Sequence, residues 1–192
     1  WGAEAPLDRL MAVFAVQFVV YAAAIGVSQA RPTRQPRRDL RLVIILGAAV
    51  AFRVVMGTAF PTLSSDMFRY VWDGRVQAVG LSPYAYPPGA PALTPLRDVS
   101  IWPLINRKDA VTIYPPGAQL AFRLIHAALG DGLWPVKAAM VAADLATLLL
   151  LLALLNALGQ PLSLIIIYAW HPLAVYEIAG SAHVEALMLV CL

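Results

Sequence analysis

The stretch with the densest chemistry in this sequence is Ser64-Ser65-Asp66-Met67-Phe68-Arg69-Tyr70-Val71-Trp72-Asp73-Gly74. Asp66, Arg69, Tyr70 and Asp73 fall at i, i+3, i+4 and i+7, so a helix puts all four on one face. Ser65 stands where it can cap that helix, which is expected to begin near Asp66 and to stop at Gly80. At a helix start the macrodipole and the free backbone amides favour a carboxylate anion. Next to a membrane surface, such a carboxylate can take the proton of a substrate hydroxyl as a general base. Arg69, on the same face, can offer charge-assisted hydrogen bonds to a phosphate. The plain alternative is a capped surface helix carrying an Asp–Arg pair of little energetic weight.

A second group follows Trp170-His171-Pro172 and comprises Glu177, Gly180, His183 and Glu185. Ionisable residues between apolar spans are costly and usually face a cavity or line a functional route. His171, His183 and Glu185 can ring a polar pocket; the alternative is a helix-end cluster at the water interface. No H-E-x-x-H or comparable ligand spacing is present, so no metal and no cofactor is expected. There is also no glycine-rich phosphate loop and no nucleophile elbow. Cys191 stands alone, which excludes a disulfide framework and a thiolate metal site.

The elements that must position these residues are read from hydropathy. The chain is 60% hydrophobic and 13% charged, with a mean hydropathy of +0.72, against about 25% charged residues in a soluble domain. Its apolar residues are clustered, and a run of about 20 spans a bilayer as a helix. A soluble domain would need an enormous core to cover helices this apolar all round. The fold class expected is therefore all-α: a polytopic transmembrane helical bundle with a long external loop carrying an amphipathic interfacial helix. Residues 10–30, 42–60, 114–129 and 134–158 are the expected spans, and 162–178 is a span or a re-entrant segment split at His171-Pro172. Residues 183–192 begin a further helix that breaks off inside an apolar run, so the chain is expected to be a truncated single transmembrane domain.

The net charge of +3 is concentrated in Arg31, Arg34, Arg37, Arg38 and Arg41, between the first two spans. That placement reads as a cytoplasmic loop under the positive-inside rule rather than as a nucleic-acid patch. Residues 61–112 then form an external loop, held near the interface by its aromatic residues and kept irregular by Pro83, Pro87, Pro88, Pro91 and Pro95. Among the charges within spans, Arg53 is expected to snorkel or to pair with the loop above it. Lys137 is expected at the cytoplasmic headgroups, and Asp144 needs a polar partner inside the bundle. Counting spans from the basic loop places His183 and Glu185 on the cytoplasmic side, away from Asp66. They join it only if 162–178 is re-entrant or one span is miscounted.

Residues 65–75 followed by Ser82-Pro83-Tyr84-Ala85-Tyr86 resemble the first external loop of polyprenyl-phosphate-sugar-dependent glycosyltransferases of the C fold, in particular bacterial mannosyltransferase-like members. Ile113-Tyr114-Pro115-Pro116 and Trp170-His171-Pro172-Leu173 with Glu177, Gly180, His183 and Glu185 extend the resemblance over residues 42–192. In the second motif His171 replaces the family's Asn, Ala182 its Gly and Glu185 its Asp. The resemblance implies that Asp66 is the catalytic base of an inverting transfer without a covalent intermediate. A hexose, with mannose first, would move from a polyprenyl-phosphate donor to a glycan or glycolipid acceptor. It implies substrate-binding positions at Arg69, Tyr70, Asp73, Arg75, Tyr84, Tyr114, His171, His183 and Glu185, with Arg69 and Arg75 facing the leaving phosphate. Some members use a divalent ion. The implied location is the bacterial inner membrane with the active face outside, among membrane lipid.

Two other classes fit the same spans. A transporter or flippase-like permease would use a midplane site built from broken helices, with His171-Pro172 as the break. A membrane scaffold without catalysis would leave the face of Asp66, Arg69, Tyr70 and Asp73 without a purpose.

Overall fold

A computed structural model describes residues 7–30, 40–61 and 63–192, and every regular element in them is helical. The basic linker from Arg31 to Arg38 lies outside the described residues, so the expectation built on it rests on sequence alone. Helices α1 (Leu7–Gln29), α2 (Leu40–Thr58) and α5 (Leu133–Ala157) are long and apolar enough to cross a membrane. Two further pieces, Leu162–Ala169 and Pro172–Gly180, meet at a 58° bend. The first contains α6 (Ile166–Ala169), and the second contains α7 (Pro172–Ala174) followed by a π-helical turn over Val175–Gly180. The bend falls at Trp170-His171-Pro172, where the missing proline N–H prevents a continuous helix.

Contacts along α2 give the direction of its neighbours. Lys137, one turn into α5, donates to the backbone carbonyls of Met56 and Ala59 at the end of α2. Farther along, Asp144 meets Arg53, and Leu148 packs with Ile45 and Ala49. The two helices are therefore antiparallel. The broken segment runs back beside α2: the Trp170 indole N–H donates to the Ile45 carbonyl at 2.9 Å, and Gly180 lies against the Met56 methyl. Its C-terminal end thus returns to the end of the bundle where α2 stops, here called the loop end.

Helix α4 (Pro116–Leu129), expected as a span, has only 14 residues. That gives about 21 Å of helix, short of the ~30 Å of a bilayer core. It packs against α3 (Asp66–Ala78) at the loop end. Gly74 makes this approach possible, because a Cβ there would stand 2.8 Å from the Phe122 carbonyl oxygen. With α4 outside the span count, α5 begins at the loop end and the broken segment finishes there. Lys137 consequently sits at the loop end beside the α2 terminus, and the headgroup position expected for it at the opposite end is corrected.

Arg53 and Asp144 partner each other inside the bundle. Arg53 Nε is 2.7 Å from Asp144 Oδ2, its Nη1 donates to the carbonyls of Ala49 and Ala169, and the Tyr168 hydroxyl donates to Asp144. Arg53 is 1% exposed and Asp144 fully buried, so Arg53 neither snorkels nor reaches the loop. A charge placed among apolar helices is tolerated when its donors and acceptors are satisfied in this way. The bond to Ala169 also ties down the carbonyl at the bend.

Candidate active site

Helix α3 carries the densest polar face, and its ends are built differently. Ser65 occupies the cap position without a side-chain cap bond; Ser64 Oγ accepts from the Asp66 N–H at 3.2 Å instead. At the far end Gly80 takes φ +80°, the Gly80 N–H donates to Gln77 O, and the Leu81 N–H donates to Val76 O. This is a Schellman closure, which needs the left-handed residue that glycine supplies.

The polar face was expected to meet water, and most of it does not. Arg69 is 4% exposed and Asp73 fully buried. Arg69 Nε donates to Asp73 Oδ1 at 2.8 Å, and both of its terminal nitrogens donate to the Ala110 carbonyl at 3.1 Å. Gln119 Nε2, from α4, donates to Asp73 Oδ2 at 2.7 Å and to Thr112 Oγ1 at 2.9 Å. This network fastens the loop and α4 to α3, and it leaves neither charged group a polar atom to offer a substrate. The reason is that α4 and residues 101–112 cover the face from a distance in sequence that helical spacing does not reveal.

Asp66 is the exception. It is half-buried, and Oδ1 accepts from Asn106 Nδ2 at 2.7 Å. Among the described residues its other carboxylate oxygen accepts no hydrogen bond. Close by, Tyr70 is buried, stacked on Phe122 at 4.7 Å and edge-on to Tyr114 at 4.9 Å. Burial is the main cause that raises the Tyr70 hydroxyl well above the ordinary tyrosine range, with Tyr114 and the Asp66 charge adding to it. Tyr114 is pushed up to about 12 by burial and by Asp66. Both phenols therefore stay protonated across the physiological range and act as donors. The exposed Tyr84 hydroxyl donates to the Tyr114 carbonyl at 2.6 Å and holds that ring's backbone.

The segment after the π-turn reaches the same place. The Val184 backbone amide lies beside the Tyr70 hydroxyl, and Ala182, Ala186 and Ile178 join the core of Met67, Tyr70 and Phe122. His183 and Glu185 thus share the loop end with Asp66. The conflict in the span count is resolved by the short α4 together with the returning broken segment. His183 Nε2 is 3.5 Å from Glu177 Oε2, and His183 Nδ1 is 3.7 Å from Glu185 Oε2. The π-turn that places Glu177 is a form enriched at functional sites. Ala182 has φ +55°, a left-handed geometry costing about 1–2 kcal/mol for a residue with a Cβ; the family motif that this segment resembles has glycine there. Among the described residues, no cluster of three or more His, Cys, Asp or Glu side chains is arranged to hold a metal ion.

Two expected site residues lie elsewhere. His171 sits at the bend, edge-on to Phe18 and Tyr21, with Nδ1 accepting from the Ala174 N–H. Arg75, about 13 Å along α3 from Asp66 by helical rise, bonds Asp98 at 3.0 Å, Asp131 at 2.8 Å and the Leu96 carbonyl at 2.9 Å. It clamps three segments at the far end of the helix. Asn106 and Gln119 were not singled out from the sequence, because each meets its carboxylate across 40 and 46 residues of chain.

A family described as "Alpha-(1->6)-mannopyranosyltransferase, N-terminal domain" matches residues 5–192. No curated protein and no solved structure matches the chain.

Proposed function

The chain belongs to the alpha-(1->6)-mannopyranosyltransferase N-terminal-domain family, and from that premise we propose that it carries the general base of a membrane mannosyltransferase using a polyprenyl-phosphate donor. The observation that carries this reading is the state of Asp66: one oxygen fixed by Asn106, the other without a donor among the described residues, at the rim of the loop-end core. A general base must be oriented and still have a lone pair for the incoming proton. Tyr70 and Tyr114, kept protonated, can orient hydroxyls but cannot compete for that proton at neutral pH.

In the proposed reaction the acceptor hydroxyl gives its proton to Asp66 as its oxygen forms a bond to the anomeric carbon. The bond from that carbon to the phosphate oxygen breaks, and the electron pair leaves with polyprenyl phosphate. The configuration inverts, so an alpha product requires a beta-linked donor. His183 and Glu185 are proposed to hold sugar hydroxyls of donor or acceptor. An apolar cavity of about 560 Å³ between α1, α2 and the broken segment, walled by Val16, Val20, Phe52, Val55, Pro172 and Val175, supports a donor with an isoprenoid tail. The active face is proposed to be the external one, from the run of arginines that precedes α2 in the sequence.

The test uses the full-length protein in membranes given radiolabelled polyprenyl-phosphate mannose. Asp66→Ala should lower transfer by roughly 10²- to 10⁴-fold while membrane insertion is unchanged; turnover at the parent rate would sink the assignment. The broken segment also fits a permease, whose substrates bind where helices unwind. Here the unwound stretch is filled by protein, with Arg53 on the Ala169 carbonyl and Phe18 and Tyr21 on His171. Label that crosses the membrane without reaching an acceptor would favour the permease.

A further inference from the structure

We propose that Arg107 is the phosphate-binding residue of this site, placing its guanidinium where the phosphate of the lipid-linked donor lies beside Asp66. The inference rests on the transferase reading above and names the cation that reading needs. The two arginines that the family resemblance nominates are spent on the fold: Arg69 on Asp73 and Ala110, and Arg75 on Asp98, Asp131 and Leu96. Three other cations of the loop end are occupied too. Arg97 bonds the carbonyls of Gly89 and Ala90, Lys108 that of Pro103, and Lys137 those at the end of α2.

Arg107 differs on three counts. It is exposed, and among the described residues its side chain makes no hydrogen bond or ion pair, not even with the exposed Asp109 two positions on. It directly follows Asn106, whose amide holds Asp66, and adjacent Cα atoms are about 3.8 Å apart. Its backbone has φ +43°, a left-handed conformation that side chains with a Cβ seldom adopt and that concentrates at ligand sites. Arg123, on α4, is also exposed and without a partner among the described residues, but no hydrogen bond among them ties its neighbours to Asp66.

The turn is held on both sides of Arg107. Ile105 is buried, and the Lys108 carbonyl accepts from the Gly89 N–H at 2.7 Å. The Arg107 carbonyl accepts from the Ala110 N–H at 3.1 Å, and the Ala110 carbonyl is gripped by Arg69. The Arg69–Asp73 network therefore fixes the loop, and the loop fixes the backbone of Arg107 one residue from the amide that holds the base. As the bond from the anomeric carbon to oxygen breaks, the departing phosphate gains a negative charge. A planar guanidinium that donates two parallel hydrogen bonds matches that group.

The test measures binding of a short-chain isoprenyl phosphate and of inorganic phosphate to the full-length protein in bilayer nanodiscs. Arg107→Ala and Arg107→Gln should weaken the isoprenyl phosphate by roughly 10- to 100-fold, the range of a lost charged hydrogen bond. Arg107→Lys should recover part of the loss. Weakening of the isoprenyl phosphate alone assigns a lipid-linked phosphate; weakening of both ligands assigns the phosphate group whatever carries it. Arg107→Gly relieves the left-handed backbone, so a thermal midpoint no lower than the parent's, together with lost binding, separates recognition from folding. Unchanged affinity for both ligands in Arg107→Ala overturns the proposal. Asp66→Asn should bind the isoprenyl phosphate normally and transfer nothing; if it transfers at the parent rate while Arg107→Ala has lost binding, Asp66 is not the base and the phosphate site stands.

Discussion

Two carboxylates lie on one face of α3, seven residues apart, and the rest of the chain surrounds them differently. Asp73 is fully buried, with Arg69 on one oxygen and Gln119 on the other. Asp66 is half-buried, with Asn106 on one oxygen and no donor on the second among the described residues. Helical position alone makes them equivalent candidates. What separates them is the cover: α4 closes over Asp73, whereas only the edge of the 101–112 loop reaches Asp66. A satisfied carboxylate holds structure together, and a carboxylate with a spare lone pair at a rim is able to accept a proton.

The sharpest way to break this comparison is to remove each charge in turn. Asp73→Asn strands the buried Arg69 guanidinium, an effect of about 3–5 kcal/mol for a broken buried pair. The thermal midpoint in detergent should fall steeply. Asp66→Ala should leave that midpoint near the parent's and lower transfer by roughly 10²- to 10⁴-fold. A folded, fully stable Asp73→Asn protein that has lost only turnover would show that the two residues play the opposite parts. The pair inside the bundle extends the argument. Arg53→Met and Asp144→Leu should each cost about 3–5 kcal/mol, and the double variant should regain most of it, since replacing a whole buried pair by apolar side chains is often neutral. If the double variant is as unstable as the singles, the bond from Arg53 to the Ala169 carbonyl, rather than the ion pair, is what the bundle needs.

Much of this architecture was legible in the sequence because hydropathy is a local signal. The helices α1, α2 and α5, the helix starting at Asp66 and the break at His171-Pro172 follow from runs, spacing and proline. The burial of Arg69 and Asp73 was not legible, because it depends on Gln119 and Ala110, more than 35 positions away. The same holds for Asn106. Helix α4 was misread as a span because a 14-residue apolar helix looks alike whether lipid or protein covers it; only its packing on α3 through Gly74 decides. That single misreading put His183 and Glu185 on the wrong side. The need of Asp144 for an internal polar partner was evident from its depth, but Arg53 and Tyr168 as the partners were not.

Asp98 stands between the two extremes and gives the smallest and most graded test. Its Oδ2 pairs with Arg75 at 3.0 Å, its Oδ1 accepts from the backbone amides of Ile101 and Trp102 at 2.9 Å, and a third of the side chain is exposed. Partial burial pushes its carboxyl up, but the Arg75 bond and the two amides outweigh that and hold it well below the usual carboxylate range. A carboxyl lowered on folding adds stability that is complete above the pKa of the unfolded chain, about 4. That stability is lost as pH falls through the lower folded value, because the unfolded state then binds the proton first. Asp98→Asn should therefore lower the thermal midpoint at neutral pH, and the gap to the parent should narrow steadily below about pH 4. Solvent screening limits the effect to about 1 kcal/mol or less, and transfer should be unchanged because the residue lies at the Arg75 end of α3. A gap that persists undiminished at low pH would mean that the geometry of the Ile101 and Trp102 amides, and not the Asp98 charge, secures that corner.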